Sequence, residues 1–313
     1  MIVAGVDVGG TNIEVGVVDD EHKVIDRVKR DTPTDGPDAV VETIVSMIES
    51  LDEDPAAVGI GIPGVIHDGE VLTVPNLANW TDDVDLLQAF ETRLDVPVAL
   101  GNDVNVGLLG EWVDGAAKGF DHVLGVWMGT GIGGALILDG RPFDGSRGAA
   151  GEIGHVIARP GGALCSCGRR GCVEAYAGRR QMAAIAHAMV DAGRATSLFD
   201  IQQEEDKAKP TSKVWARALD EGDELTTQLF DMAIETLGLG VASVVNVLDV
   251  ERVVIGGGLA EKLGQDLADR IAEAAQPWML RPDPDLSWVP ASLGDDSGVV
   301  GAASLARARV IAG

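Results

Sequence analysis

Two stretches of the chain decide the fold because they repeat one pattern: residues 3–19 read VAGVDVGGTNIEVGVVD, and residues 123–139 read VLGVWMGTGIGGALILD. Each runs from a strand through a glycine-rich turn into a second strand, which predicts a β-hairpin. The alignment pairs Gly9 with Gly129, but it sets Asp7 opposite Trp127. Two copies of this length favour a duplicated domain over a solenoid.

Strands and helices alternate in both halves of the chain, which is typical of an α/β protein of two related domains. The patterns predict helices over 38–51, 103–113, 226–248, 262–275 and 298–312, and further strands over 57–62, 96–100 and 251–255. We interpret the polar segment 194–224 as an irregular surface excursion without chemistry. The predicted domains are a smaller one, residues 1–117 plus 300–313, and a larger one, residues 118–299.

The composition is strongly acidic, with 50 Asp and Glu against 24 Lys and Arg and a net charge of -26. Such a chain is a poor partner for nucleic acid or an anionic membrane surface, since both require basic patches. The 46% hydrophobic content excludes a disordered acidic tail. Most acidic clusters are interpreted as solvated surface, and together they suggest a salt-rich cytoplasm. We therefore expect thermal stability to rise with KCl.

The start of the chain, MIVAGVDVGG, lacks the cationic region of a signal peptide, and the apolar stretch 123–138 is too short for a membrane span. All three cysteines lie between residues 165 and 172. An odd, clustered number of cysteines argues against a secreted disulfide framework. We expect a cytoplasmic protein.

The glycine-rich turns are candidate anion sites. Glycine lets successive backbone N–H groups approach a phosphate without a Cβ in the way. An ordinary hairpin turn is the alternative, but two copies in register favour phosphate binding. The chain contains no Walker, Rossmann or protein-kinase signature. If the two hairpins face each other across a cleft, they could hold a polyphosphate with an acid on one side only.

The pair Asn102-Asp103 stands where a strand meets a helix. Phosphoryl transfer to an alcohol needs a carboxylate that orients the hydroxyl and accepts its proton, and Asp103 is suited to that task. Capping of the helix N-terminus is the alternative role for this pair.

Three thiols and one imidazole, on Cys165, Cys167, Cys172 and His155, have the composition of a closed zinc site. A redox-active pair of Cys165 and Cys167 is the alternative, although a C-x-C loop is cramped for a disulfide. Glu152 and Glu174 flank the cluster. Carboxylates and an imidazole near an Asn-Asp pair suit a polyhydroxylated ligand such as a sugar.

With these motifs the chain resembles the ROK family (repressor, open reading frame, kinase) of sugar kinases, and among its members most the glucokinases. The resemblance covers nearly the whole length. It rests on D-x-G-G-T-N at 7–12, G-I-P-G at 61–64, P-N-L at 75–77, N-D-x-N at 102–105, G-T-G-I-G-G at 129–134, G-E-I-G-H at 151–155, C-x-C-G-x-x-G-C-x-E at 165–174 and G-G-G-L at 256–259.

The resemblance implies an actin-like ATPase (ribonuclease H-like) fold, with two duplicated α/β domains around a cleft and a structural zinc loop. It implies transfer of the γ-phosphate of ATP to a hexose 6-hydroxyl, with Asp103 as the general base. Glucose is the expected hexose; N-acetylmannosamine, N-acetylglucosamine or fructose are alternatives, as is a non-catalytic sugar sensor. ROK repressors carry a DNA-binding module before the first strand, and we expect none here.

The resemblance also implies the remaining site residues and cofactors. The expected sugar contacts are Gly64, Asn76, Asn102, Asp103, Glu152, His155 and Glu174. Contacts to ATP and Mg²⁺ are expected from Asp7, Gly9, Gly10, Thr11, Asn12, Gly129, Thr130, Gly131, Gly133, Gly256, Gly257 and Gly258. The expected structural Zn²⁺ ligands are His155, Cys165, Cys167 and Cys172. A homodimer or homotetramer is the expected assembly.

Overall fold

The computed structural model describes residues 1–67, 70–73, 77, 79–80, 85–281 and 285–312. In the first part of the chain the elements are β1 (Val3–Val8), β2 (Asn12–Val18), β3 (Val24–Asp31), α1 (Pro37–Ile48), β4 (Val58–Ile62), β5 (Val65–His67), β6 (Glu70–Thr73), α2 (Leu86–Glu91), β7 (Val98–Asn102) and α3 (Asp103–Asp114). The predicted first hairpin is therefore present.

The later elements are β8 (Val123–Met128), β9 (Ile132–Leu138), β10 (Arg141–Pro142), α4 (Glu174–Ala177), α5 (Arg179–Asp191), α6 (Leu198–Glu204), α7 (Ser212–Asp220), α8 (Glu224–Leu248), β11 (Arg252–Gly256), α9 (Gly258–Ala275), β12 (Ser287–Pro290) and α10 (Asp296–Ala312). Short 3₁₀ turns span Ile153–His155 and Gln276–Trp278.

The two main sheets have the same topology. The first has the strand order β3-β2-β1-β4-β7, and the second has the order β10-β9-β8-β11-β12. β1 pairs antiparallel with β2 and parallel with β4, while β8 pairs parallel with β11 and β11 with β12. The near-continuous apolar strands β1, β4 and β8 are buried, as expected for strands covered by helices. The duplication predicted from the repeated hairpins is confirmed.

Helix α10 packs closely on the first sheet because small residues line the contact. A Cβ added at Gly5 would lie 1.9 Å from the carbonyl oxygen of Val299, and one added at Gly59 would lie 1.7 Å from that of Ala302. On the other side of the helix, a Cβ at Gly301 would lie 1.6 Å from the carbonyl oxygen of Val106 in α3. The glycines allow backbone-to-backbone approach that any side chain would prevent.

The chain divides into two compact units. The first comprises Met1–Asp121, Ala135–Ala150 and Ser292–Gly313, and the second comprises His122–Gly134 and Gly151–Ala291. The first unit thus includes segments 135–150 and 292–299, which the predicted boundaries assign to the C-terminal domain. Side-chain contacts explain this: Asn105 donates to Asp144 at 2.8 Å, and the buried Glu111 carboxylate accepts from the backbone amides of Ser292 and Leu293.

The interpretation of segment 194–224 as an irregular excursion is wrong. It forms helices α6 and α7, whose apolar faces are buried through Leu198, Ile201 and Trp215. Asp223 organises the segment, because its carboxylate accepts hydrogen bonds from Thr196, Ser197 and Thr226. Both helices are short and expose one face, so their apolar residues are too few to dominate the local composition.

Within the described part of the chain, α8 is the one helix with the length and hydropathy of a membrane span, and half of that window is buried inside the fold.

Candidate active site

The first glycine turn, between β1 and β2, is closed by a hydrogen bond from the amide of Gly9 to the carbonyl of Asn12 at 2.9 Å. Thr32, just after the end of β3, supports the turn with two hydrogen bonds. The Thr32 amide donates to the carbonyl of Thr11 at 2.8 Å, and the Thr32 hydroxyl donates to the carbonyl of Gly9 at 2.6 Å. A cavity of about 230 Å³ opens at this turn, lined by Asp7, Gly9, Gly10, Thr11, Asn12, Glu14, Lys29 and Asp295. The structure therefore brings all five predicted residues of this turn together.

The cavity is rich in carboxylates. The pKa of Asp7 is raised to about 7, mainly by burial and also by the nearby carboxylates of Asp103, Glu14 and Asp295. Glu14 is buried and forms ion pairs with Arg27 at 2.8 Å and with Lys29 at 3.1 Å. A bound cation would stabilise the ionised form of Asp7, so the donor set suits Mg²⁺.

Glu14, Lys29 and Asp295 were not among the residues predicted from the sequence. A signal for Glu14 was available, because the hairpin register sets it opposite Asp7. Two residues that pair directly across antiparallel strands place their side chains next to each other on the same face of the sheet. Asp295 had no such signal, since it reaches the cavity from the start of α10.

Asn102 is the N-cap of α3. Its Oδ1 accepts from the amides of Val104 at 2.9 Å and Asn105 at 3.1 Å, while its Nδ2 donates to the carbonyl of Gly64 at 2.8 Å. The capping role is therefore confirmed for Asn102, and Asp103 is the first residue of the helix. The role of Asp103 as general base stays a prediction. Two predicted sugar contacts, Gly64 and Asn102, are held against each other. The predicted contact Asn76 lies outside the described residues.

The second glycine turn, between β8 and β9, is closed by a hydrogen bond from the amide of Gly129 to the carbonyl of Gly131 at 3.0 Å. Glu174 supports it, because Oε2 accepts from the amide of Ile132 at 3.1 Å. A Cβ at Gly131 would lie 2.2 Å from that oxygen, so a larger residue there would displace the carboxylate. The other oxygen of Glu174 accepts from the Ser166 hydroxyl at 2.9 Å. Glu174 thus joins the turn to the cysteine loop.

The four predicted zinc ligands converge. One ligand atom from each of His155, Cys165, Cys167 and Cys172 lies within 4.8 Å of all the others. The sulfur atoms of Cys167 and Cys172 are 3.6 Å apart, and Cys165 Sγ is 3.8 Å from His155 Nδ1. Ligands about 2.3 Å from a tetrahedral zinc would be about 3.8 Å apart, so the donors fit the metal. The fit favours the metal site over the redox pair.

The surroundings of the cluster contain the predicted sugar contacts of the second unit. Burial raises the pKa of Glu152; the carboxylate of Glu174 raises it too, whereas His155 and Arg169 lower it. With Nδ1 of His155 facing the cysteine, Nε2 is the ring nitrogen available to another partner. The structure therefore groups Glu152, His155 and Glu174 around one cluster.

The run Gly256–Gly258 has packing reasons of its own. A Cβ at Gly256 would lie 2.4 Å from the indole ring of Trp127, and one at Gly258 would lie 2.6 Å from the hydroxyl oxygen of Ser212. Gly257 has φ +86°, a left-handed conformation that favours glycine. These contacts account for the glycines without a ligand, and the adenosine contact stays a prediction.

Comparison with known proteins identifies similar sequences and structures over the whole chain. Residues 3–309 match the ROK family. The chain is similar to the glucokinase of Thermotoga maritima, with 32% identity over 98% of this chain and 97% of that protein. It is also similar to the N-acetylgalactosamine kinase of Shewanella, with 31% identity over 96% of this chain and 95% of that protein.

Among solved structures, the chain is similar to a ROK family glucokinase from Streptomyces griseus in complex with glucose and AMPPNP. The TM-score is 0.86 at 32% identity, and the match covers 98% of this chain and 100% of that chain.

Proposed function

Because the chain belongs to the ROK family and has its duplicated actin-like α/β fold, we propose that it is a hexose kinase that transfers the γ-phosphate of ATP to the 6-hydroxyl of glucose. The observation that carries the proposal is the junction of β7 and α3, where Asn102 holds Gly64 and caps the helix that begins with Asp103. A carboxylate fixed by a capped helix is suited to orient one hydroxyl. The similarity to glucokinases, one of them bound to glucose and AMPPNP, supports glucose as the substrate.

In this proposal Asp103 accepts the proton of the sugar 6-hydroxyl while the oxygen of that hydroxyl forms a bond to the γ-phosphorus. The bond from that phosphorus to the β–γ bridging oxygen breaks, and ADP leaves with the electron pair. Glu152, His155 and Glu174 bind the other sugar hydroxyls together with Gly64 and Asn102. Fixed hydrogen-bond partners orient the substrate, so that the attacking oxygen is in line with the phosphorus.

The amides of both glycine turns bind the nucleotide phosphates, and the run Gly256–Gly258 lies near the adenosine. The carboxylates of the first cavity, Asp7 foremost, would hold Mg²⁺, which would supply positive charge to the β- and γ-phosphates. His155, Cys165, Cys167 and Cys172 would hold Zn²⁺, which would stabilise the loop that carries Ser166 next to Glu174. We place the enzyme in the cytoplasm, as a homodimer or homotetramer.

A coupled assay of ADP release with a panel of hexoses tests the proposal. Glucose is expected to give the highest kcat/KM, with ATP preferred over ADP or polyphosphate as the donor. Asp103→Asn is expected to lower kcat by roughly 10²–10⁴-fold while glucose still binds, since removal of a general base affects the chemical step more than binding. Near-normal turnover in this variant would exclude the role of Asp103.

A kinase for an N-acetylated hexosamine is the second candidate, supported by the 31% identity to the N-acetylgalactosamine kinase of Shewanella. The same panel separates the two, because that kinase would prefer an N-acetylated sugar over glucose. A sugar sensor without catalysis would bind a hexose in calorimetry and release no ADP.

A further inference from the structure

Arg179 begins α5 and clamps the second glycine turn. Its backbone amide and its Nε both donate to the carbonyl of Gly129, at 3.4 and 3.0 Å, and the amide of Arg180 donates to the carbonyl of Thr130 at 3.1 Å. The Nε bond fixes the direction of the guanidinium at a turn that already has a candidate role in phosphate binding. The two terminal nitrogens of that group are not used by this contact.

The guanidinium is half-buried, and burial lowers the pKa of Arg179. Among the described residues, no carboxylate lies within ion-pair distance of it. Other arginines of the chain have such partners: Arg27 pairs with Glu14, Arg217 with Glu221 and Arg270 with Asp231. An arginine that loses hydration without an anion nearby is costly, unless a ligand supplies the anion.

The chain has 50 acidic and 24 basic residues, so the lack of a carboxylate beside Arg179 does not come from a shortage of acids. A guanidinium with two unused N–H₂ groups presents a planar fork that matches two oxygens of one phosphate. The neighbouring turn adds backbone N–H groups, and Glu174 holds that turn in place from its other end. The local chemistry therefore selects a phosphate group as the missing anion.

We propose that Arg179 binds the terminal phosphates of the nucleotide and stabilises the negative charge on the phosphoryl group during transfer. The assignment rests on the proposed kinase function. It adds the Arg179 guanidinium to the proposed nucleotide site, although no sequence motif indicated this residue. Arginine is effective there, because it stays charged and donates two parallel hydrogen bonds to equatorial oxygens.

Arg180 provides a matched control. It is the next residue on the same helix and its backbone amide also bonds to the turn, but its side chain is exposed. Substitution of Arg180 therefore removes the same charge from the same end of α5 and leaves the Nε contact to Gly129 intact.

The test compares Arg179→Gln, Arg179→Lys and Arg180→Gln in steady-state assays with glucose and ATP. Arg179→Gln is expected to lower kcat by roughly 100-fold or more, as loss of one preorganised transition-state donor does. Arg179→Lys restores the charge but not the fork and should recover only part of the activity. Arg180→Gln should stay within about twofold of the unmodified enzyme. Equal kcat values for Arg179→Gln and Arg180→Gln would overturn the proposal.

Chemical rescue separates phosphate binding from a purely structural clamp. Free guanidinium ion should raise kcat of Arg179→Ala several-fold and leave Arg180→Ala unchanged, because only a site that has lost a functional guanidinium gains from the added ion. A circular-dichroism melt shows whether each variant is folded. If Arg179→Gln does not fold, Arg179→Lys carries the comparison, and wild-type kcat in that variant overturns the proposal.

Calorimetric titrations distinguish this inference from the proposed function. If no hexose is phosphorylated, the proposed function fails, while a selective loss of AMPPNP affinity over AMP affinity in Arg179→Gln still supports phosphate binding by Arg179. If glucose is phosphorylated but Arg179→Gln binds AMPPNP and turns over like the unmodified enzyme, the inference fails and the proposed function stands.

Discussion

The two glycine hairpins share a backbone plan and differ in charge. Both join two neighbouring strands of a sheet through three residues, and the first strand of each also pairs with a parallel neighbour. Around the first turn lie the carboxylates of Asp7, Glu14 and Asp295. Beside the second turn lies the half-buried cation of Arg179. Duplication has preserved the backbone frame, while the side chains around it differ, with carboxylates at the first turn and a guanidinium at the second.

The position where the repeats disagree explains part of this difference. Asp7 contributes a carboxylate to the first cavity, whereas Trp127 packs its indole ring on Gly256. An indole ring offers no oxygen ligand to a hard cation such as Mg²⁺. The second hairpin therefore has a packing contact where the first has its acid, and the following predictions alter each side in turn.

Removal of the acid of the first hairpin should have the largest effect. Asp7→Asn is expected to lower kcat/KM for ATP by about 10³-fold or more, since the cavity then loses the carboxylate at the end of β1. Steady-state assays over a range of Mg²⁺ concentrations measure this loss. If activity recovers fully at high Mg²⁺, Asp7 contributes only to the affinity for Mg²⁺ and not to the chemical step.

The same variant should be more stable than the unmodified protein at alkaline pH. The pKa of Asp7 is raised from its usual 3.8 to about 7, so the folded protein binds more protons than the unfolded chain between these values. The free energy of unfolding therefore falls as pH rises through that window, and the full destabilisation by the ionised Asp7 carboxylate is present above pH 7. Without Mg²⁺ or nucleotide, Asp7→Asn should raise the free energy of unfolding at pH 8 by up to about 4 kcal/mol and change it little at pH 4. Urea unfolding at both pH values measures this, and equal changes would contradict it.

Loss of the metal should weaken the support of the second hairpin. Cys167→Ser removes one of four converging ligands, and we expect zinc to be lost together with several kcal/mol of stability in the cysteine loop. Glucose affinity should fall as well, because His155 and Glu174 lose their fixed positions. Elemental analysis and a thermal melt measure the two effects, and zinc-free unmodified protein would refute the assignment.

Glu174 joins the cysteine loop to the second turn, so a milder change should separate support of the turn from metal binding. In Glu174→Gln one carboxylate oxygen becomes an NH₂ group, which then faces a hydrogen-bond donor, either the Ser166 hydroxyl or the Ile132 amide. We expect KM for ATP and for glucose to rise by about tenfold, with zinc retained, since one buried hydrogen bond is lost. Glu235→Gln, at an exposed position of α8, is the control and should leave both constants unchanged. Loss of zinc in Glu174→Gln would show that it acts through the metal instead.

The smallest effect is expected where Trp127 replaces the acid. Gly256→Ala adds a methyl group that would lie 2.4 Å from the indole ring, and overpacking of this kind costs roughly 1–3 kcal/mol. In Trp127→Leu the methyl group has room, so the two substitutions together should cost less than their sum. Urea unfolding of both single variants and the double variant gives the coupling energy. If the two changes in unfolding free energy simply add, the close contact with Trp127 is not the reason that position 256 requires glycine.

Much of the fold was predictable because its signals are local. Both hairpins, α3, α8 and α10 follow from apolar periodicity and from turn residues that neighbour each other in sequence. The sequence also indicated the four metal ligands, since all lie within one short segment. Segment 194–224 was misjudged, because two short amphipathic helices bury few residues and their exposed faces dominate the composition.

The amino-acid sequence by itself determined the two glycine hairpins and the long helices, because those elements depend on neighbours a few residues away. Tertiary structure alone decided which distant groups meet. Asp295 joins the cavity of Asp7, Glu174 reaches Ile132, and Arg179 directs its guanidinium at Gly129 across 50 positions of sequence. Such meetings depend on how whole elements pack, and the charge environment of the candidate site depends on them.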